Sequence, residues 1–152
     1  MRVPVPFVFV LAFLFGSGLQ QLLPIGVGPA AALRFVHAAG LGLLTVGVAL
    51  AAWCLLIFQR QRTTTIPFET ASRLVTWGPY RVSRNPMYVS LTLAYIGEAG
   101  LLAQAWTLVP LALTIAYLDR VVIPYEESRL QAAFGATYEE YRSRVGRWIR
   151  LK

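Results

Sequence analysis

Two polar segments of this 152-residue chain carry the side chains that could do chemistry. The first ends in Gly78-Pro79-Tyr80 and Arg84-Asn85, and the second begins with Glu126-Glu127, directly after an apolar run. Acidic groups at the edge of a bilayer are costly unless they are hydrated or paired. We therefore expect a cation beside the glutamates, either a protein arginine or a ligand. The competing interpretation is that Arg81 and Arg84 only anchor the chain among lipid headgroups.

The composition excludes an ordinary soluble protein. Hydrophobic residues make up 57% of the chain and charged residues 14%, whereas a typical soluble domain is about 25% charged. Apolar runs of about 20 residues can cross a bilayer as helices. We therefore expect an all-α, multi-pass integral membrane protein with a single domain over residues 1–152. The single cysteine, Cys54, cannot form an intramolecular disulfide and is interpreted as a small buried apolar residue.

Four membrane spans are expected, the last two forming a short hairpin. The predicted spans are residues 3–23, 30–58, 86–101 and 104–123. The 38 residues from 86 to 123 would extend about 57 Å as one helix, too long for a single span. The turn is expected between Gly97 and Gln104. The first span also resembles a signal peptide, but it lacks a clear cleavage site and is kept as a span.

The basic residues predict the orientation. The chain has 14 Lys and Arg against 7 Asp and Glu, a net charge of +7. With both termini in the cytoplasm, 13 of the 14 basic residues lie on that side, and Arg34 lies near the other face. The positive charge therefore indicates orientation and contact with anionic headgroups, so we expect the bilayer as a partner and no nucleic acid. Because His37 has no second metal-binding side chain at helical spacing, no metal is expected.

The cytoplasmic part is expected to consist of the loop 59–85 and the tail 124–152. Asn85 lies where a helix N-cap is expected, with Pro86 in the first turn of the third span. In the tail, Pro124 is expected to open an amphipathic helix that Gly135 ends. Thr137 and Glu140 have the spacing of a capping box for a second amphipathic helix. These tail helices are expected to lie over the loop.

The order and spacing of these motifs resemble a known family. The matching residues are Gly78-Pro79-Tyr80, Arg84-Asn85-Pro86-Met87-Tyr88, Glu126-Glu127, Phe134-Gly135, Tyr138, Tyr141, Val145 and Arg147-Trp148. They are similar to the integral membrane methyltransferases related to isoprenylcysteine carboxyl methyltransferase and phospholipid methyltransferases. The resemblance covers about half of the chain, from Ser72 to Trp148. The first two spans are compatible with the family but carry no signature of it.

This resemblance implies S-adenosylmethionine as the methyl donor and a lipophilic acceptor that enters from the bilayer. The implied donor-binding residues are Ser72, Arg73, Leu74, Val75, Tyr80, Asn85, Pro86, Met87, Tyr88 and Glu126. The implied catalytic residues are Arg84, Asn85 and Glu127. The family pattern also places Arg84 close to where Glu126 or Glu127 leaves the fourth span, so we expect Arg84 to pair with one of these glutamates. A sulfonium cation favours aromatic faces, which Tyr80 and Tyr88 could supply, and Glu126 could accept hydrogen bonds from the amino group or ribose of the donor.

Two positions depart from the isoprenylcysteine enzymes. Asn85 replaces a histidine and cannot act as a base near neutral pH, and Val122 replaces an arginine on the substrate side. The favoured function is methylation of a lipophilic acceptor, such as O-methylation of an isoprenylcysteine-like carboxylate. A phospholipid amine N-methyltransferase is the alternative among enzymes. A non-catalytic membrane scaffold or transporter subunit is the alternative outside them, although a transporter would require polar positions near the midplane.

Overall fold

The structure, a computed structural model, describes residues 4–61 and 73–149. Within these two ranges the chain is helical, with no strand. The α-helices are α1 (Val5–Leu22), α2 (Ala30–Gln61), α3 (Pro86–Leu101), α4 (Leu108–Tyr117), α5 (Ile123–Phe134) and α6 (Ala136–Arg144). Two short 3₁₀ helices, Gly78–Arg81 and Ala105–Thr107, precede α3 and α4, and a π-helical turn, Leu118–Val122, joins α4 to α5. The all-α prediction is confirmed.

Three helices of the described chain are long and apolar enough to cross a membrane. They are Val5–Leu22, Ala30–Arg60 and the continuous helical stretch Ala105–Phe134. Helix α3 begins and ends where the third span was predicted, but it has 16 residues and an axial rise of only about 24 Å. The predicted hairpin turn is present, because α3 ends at Leu101 and the next helical turn starts at Ala105.

Helices α2 and α3 pack antiparallel with their backbones in direct contact. A Cβ added to Gly47 would lie 2.5 Å from the Ala94 backbone nitrogen, and one added to Gly40 would lie 2.5 Å from that of Leu101. No side chain fits at these points, so glycine sets the distance between the two helices. Helix α1 packs mainly against the Ala105–Thr107 turn and α4. This packing places the end of α2 beside the start of α3.

The predicted helix start at Pro124 is correct to within one residue, but no break separates that helix from the preceding one. Helix α5 continues from α4 through the π-helical turn, and Pro124 lies in the first turn of α5. The Ile123 N–H donates to the Leu118 carbonyl, five residues earlier. The next such donor would be Pro124, which has no N–H. The fourth membrane helix and the first tail helix are therefore one helical stretch with a π turn inside it.

Gly135 ends α5 as predicted, but the predicted capping box is wrong. Gly135 has φ +51°, in the region that favours glycine. It is both the C-cap residue of α5 and the N-cap residue of α6. Helix α6 begins at Ala136 with no side-chain cap. Thr137 is therefore inside the helix, where its hydroxyl cannot act as the N-cap group. The tight turn at Gly135 leaves no room for a capping residue between the two helices.

Candidate functional site

The centre of the polar site is the carboxylate of Glu127, which two arginines bind. Arg84 Nη2 lies 3.0 Å from Glu127 Oε1. Arg147 donates to the same carboxylate from Nε at 3.0 Å and from Nη2 at 2.8 Å. The Glu127 and Arg84 side chains are each 10% exposed, so this ion cluster is largely buried and both of its arginines neutralise one carboxylate. The expected pairing of Arg84 with one of the two glutamates is confirmed.

A non-helical segment, Val145–Ile149, here called the strap, follows α6 and closes over the loop before α3. The Gly146 carbonyl accepts a hydrogen bond from the Arg84 backbone N–H at 2.8 Å. The Arg147 carbonyl accepts from Ser83 Oγ at 2.8 Å and from Asn85 Nδ2 at 3.1 Å. Asn85 precedes α3 as predicted but makes no side-chain cap bond, and its Nδ2 group donates to the strap.

Glu126 is in a different environment from its neighbour Glu127. Its carboxylate Oε1 accepts a hydrogen bond from the Tyr88 hydroxyl at 2.7 Å. Among the described residues, the arginine ion pairs are with Glu127, Asp119 and Glu140, and none is with Glu126. A half-buried carboxylate bound by a neutral donor leaves a position where a cation would be stabilised. Tyr88 and Glu126, both predicted donor contacts, are therefore brought together.

Tyr80 is the third part of the same site. It is 7% exposed and packs with Cys54, Val75 and, partly buried, Met87. Its carbonyl accepts a hydrogen bond from the Tyr141 hydroxyl at 2.7 Å, which ties the loop to α6. Burial is the main cause that raises the pKa of the Tyr80 hydroxyl, and the nearby Glu126 carboxylate raises it further. Tyr80 therefore stays neutral and lies within electrostatic reach of Glu126.

Arg147 is charged at any physiological pH. Its hydrogen bonds to Glu127 raise its pKa above the ordinary arginine value. Burial raises the pKa of Tyr138, whose hydroxyl oxygen accepts a hydrogen bond from Arg84 Nη1 at 3.2 Å. In this site Arg84 and Arg147 pair with Glu127, Arg147 also lies near Asp119, and Glu126 accepts a hydrogen bond from the neutral Tyr88 hydroxyl.

The predicted donor-binding residues lie in several different environments, and Asn85 among them donates to the strap. Ser72 lies outside the described residues. Val75, Tyr80 and Met87 share one apolar cluster, and Tyr88 contacts Glu126. Pro86 is buried in the first turn of α3, Leu74 is half-buried, and Arg73 is exposed. The roles assigned to these residues and to Arg84, Asn85 and Glu127 remain predictions.

Sequence reasoning did not assign roles to Asp119, Tyr138 and Arg147. Arg147 belonged to the motif that carried the resemblance, but its spacing from Glu127 gave no sign that the two would meet. Asp119 lies one residue before Arg120 near the end of an apolar run, and that position was the signal available for it. Within residues 4–61 and 73–149, no group of three or more His, Cys, Asp and Glu could hold a metal ion.

The architecture and the polar site are those of an integral membrane protein with an ion-paired site at one end of its helices. Residues 35–137 match the family model described as phospholipid methyltransferase. Since the match covers more than half of the chain, the chain belongs to the phospholipid methyltransferase family. The membership agrees with the resemblance of its loop and tail motifs.

The known proteins with similar sequences include isoprenylcysteine O-methyltransferases and a protein named for metal resistance. The chain is 30% identical over 113 residues to a probable protein-S-isoprenylcysteine O-methyltransferase of Oryza sativa subsp. indica, covering 73% of the chain and 59% of that protein. It is 30% identical over 108 residues to protein-S-isoprenylcysteine O-methyltransferase B of Arabidopsis thaliana, covering 70% and 55%. It is 32% identical over 106 residues to the cobalt-zinc-cadmium resistance protein CzcN of Cupriavidus metallidurans, covering 70% and 44%.

The chain thus spans less than two thirds of the length of these curated relatives. No solved structure matches it significantly.

Proposed function

We propose that this protein is a membrane methyltransferase that transfers a methyl group from S-adenosylmethionine to a lipophilic acceptor. The observation that carries the proposal is the contrast between the two adjacent glutamates. Glu127 is saturated by Arg84 and Arg147, whereas Glu126 is held by Tyr88 and meets no arginine of the described chain at ion-pair distance. Family membership supports a methyl-transfer reaction at this position.

The residues present fit a cationic donor. When bound, S-adenosylmethionine supplies an electrophilic methyl group on a sulfonium. The Glu126 carboxylate would accept hydrogen bonds from the donor's amino group or ribose, as charge-assisted bonds are strong in a partly buried site. The Tyr80 and Tyr88 rings would supply electron-rich surfaces near it. Arg84 and Glu127 would brace the loop before α3 against α5, and positioning of two reactants in a water-poor site is the main requirement of methyl transfer.

The first experiment is donor binding to the detergent-purified protein. We expect calorimetry to show binding of S-adenosylmethionine or its demethylated product, and we expect Glu126→Gln to weaken it by about 1.5–3 kcal/mol. Glu139→Gln is the matched control, because Glu139 is an exposed glutamate of α6. Binding that is absent at millimolar ligand would reject the enzyme in favour of a non-catalytic membrane protein. Equal affinity of the two variants would remove Glu126 from the site.

The family model also supports a second candidate, N-methylation of a phospholipid amine. An amine must lose its proton before it attacks, whereas a carboxylate is already ionised at neutral pH. With an amine acceptor, turnover should rise with pH through the pKa of that amine. With a carboxylate acceptor, turnover should be flat over the same range. A screen of lipophilic acceptors with labelled donor, repeated at several pH values, separates the two.

We also propose that both chain ends face the cytoplasm, since 13 of 14 basic residues then lie on that side. A reporter fused after Lys152 should be active on the cytoplasmic side, and one fused near Pro24 on the opposite side. If both reporters report the same side, the four-span arrangement is wrong.

A further inference from the structure

The strap has one side chain that joins three separate parts of the chain. Arg147 binds both oxygens of Glu127 on α5, at 3.0 and 2.8 Å. Its Nη1 lies 3.6 Å from Asp119 Oδ1 in the π turn. Through its own carbonyl, the same residue also accepts hydrogen bonds from Ser83 and Asn85 in the loop. Arg147 therefore contacts the loop, the π turn and α5 at once.

The contact with the π turn supplies a missing backbone donor. The N–H of Ile123 is used by the Leu118 carbonyl, and Pro124, five residues after Asp119, has no N–H to offer. Arg147 Nη1 donates to the Asp119 carbonyl at 3.4 Å. A carbonyl left without a partner is costly where water is scarce. Arg147 thus stabilises the π turn at the point where Pro124 weakens it.

A π turn changes the direction in which the following helix presents its side chains, because it contains one more residue per turn than an α-helix. The glutamates lie at the start of α5, directly after this turn. A second clamp acts on the same turn, because Trp148 Nε1 donates to Asp119 Oδ1 at 3.1 Å. The orientation of Glu126 toward Tyr88 therefore depends on a turn that the strap holds.

We propose that Arg147 is a positioning residue of the methyl-transfer site: it fixes the π turn and Glu127, and so keeps Glu126 directed toward the donor. This inference rests on the proposed function. Arg147 does not need to touch either reactant. Its side chain is 32% exposed, so a substitution there removes less buried structure than one at Arg84 or Glu127.

The test compares Arg147→Ala and Arg147→Lys with Arg144→Ala. Arg144 is the matched control, an exposed arginine that pairs with Glu140 within α6. We expect Arg147→Ala to weaken binding of S-adenosylmethionine about tenfold or more and Arg144→Ala to leave it within about twofold, as removal of hydrogen bonds to a charged group predicts. Arg147→Lys should be intermediate, because one ammonium group cannot bind Glu127 at two points and also reach Asp119.

Two further measurements separate positioning from general stability. In a Glu127→Gln background, Arg147→Ala should weaken donor binding by less than it does alone, because part of its effect passes through Glu127 and the rest through Asp119 in the π turn. Without ligand, limited proteolysis of the strap should be faster in Arg147→Ala than in Arg144→Ala. If Arg147→Ala does not fold, Arg147→Lys decides by the same comparison.

The two proposals can fail separately. If the unaltered protein binds no S-adenosylmethionine, the proposed function is wrong. If the unaltered protein binds it, and Arg147→Ala or Arg147→Lys binds it as well as Arg144→Ala does, the positioning role is wrong while the proposed function stands. Fully additive effects of Glu127→Gln and Arg147→Ala would overturn the part of the proposal in which Arg147 acts through Glu127.

Discussion

The α2–α3 contact and the ion cluster around Glu127 are held together in opposite ways. Between α2 and α3, the backbones meet because Gly40 and Gly47 have no side chains. At the ion cluster, Arg84, Glu127 and Arg147 meet through long side chains that carry charge. The α2–α3 contact requires residues without side chains, and the ion cluster requires oppositely charged side chains.

The difference follows from the surroundings of each contact. In a bilayer, lipid tails are as apolar as leucine, so close backbone packing rather than hydrophobic burial drives helices together. At the polar end of the helices, desolvated charges must be paired. We therefore expect a single added methyl group to disrupt the packing of α2 against α3. We expect removal of one charge to disrupt the ion cluster.

Gly47→Ala should give the largest loss of stability. The new Cβ would lie 2.5 Å from the Ala94 backbone nitrogen and 2.8 Å from the Ser90 carbonyl oxygen, and backbone atoms cannot move aside as a flexible side chain can. We expect a loss of about 3 kcal/mol, at the upper end for overpacking. Thermal denaturation of the protein in detergent measures it.

Gly42→Ala is the control for this substitution. Gly42 lies in the same helix, and a Cβ there would meet nothing within 4 Å. Both variants gain the same helix propensity of about 1 kcal/mol relative to glycine, so their difference isolates the contact with α3. Equal melting temperatures would mean that the two helices are not packed backbone to backbone.

Arg84→Ala should have the next largest effect, now on the ion cluster. It removes the bond to Glu127 at 3.0 Å and the bond to Tyr138 at 3.2 Å. We expect a loss of about 2 kcal/mol, because Arg147 still compensates Glu127. Methyl-transfer rates should fall and proteolysis of the tail should become faster. Arg81→Ala, which changes an exposed arginine of the same loop, should leave both measurements nearly unchanged.

Arg84→Lys sharpens the same comparison. A lysine keeps the charge but cannot bind the Glu127 carboxylate and the Tyr138 hydroxyl with one planar group. We expect it to recover little of the lost activity. If Arg84→Ala behaved like Arg81→Ala, Arg84 would be a headgroup anchor and its pairing with Glu127 would contribute nothing to the site.

Most of the helices could be predicted from the sequence, because apolar runs and Pro or Gly residues mark their ends. Pro86 and Gly135 each stand at a helix boundary that was predicted. The continuity of α4 with α5 could not be predicted, since proline is ordinarily a helix start. The π turn accommodates Pro124 inside the helix, and Arg147, 23 residues later in the sequence, donates to the Asp119 carbonyl in place of the N–H that proline lacks.

The site was predictable only where a local signal existed. Two adjacent glutamates after an apolar run require a cation, and the family pattern identified Arg84 as the partner of one of them. It could not say that Glu127 would take both arginines and leave Glu126 to Tyr88. That division depends on the path of the strap across the loop, and no periodicity or spacing within the strap specifies such a path.

Tyr141→Phe should have the smallest effect, because it tests one neutral hydrogen bond between the two regions of the site. The Tyr141 hydroxyl donates to the Tyr80 carbonyl at 2.7 Å and both residues are buried. Its loss should cost about 1 kcal/mol of stability, whereas Tyr117→Phe, which changes an exposed tyrosine of α4, should cost almost nothing. Burial raises the pKa of the Tyr141 hydroxyl, so the group stays protonated and the difference should be equal at about pH 6 and about pH 8. A difference that disappears between these pH values would mean that the hydroxyl acts through an ionisable neighbour rather than through the Tyr80 carbonyl.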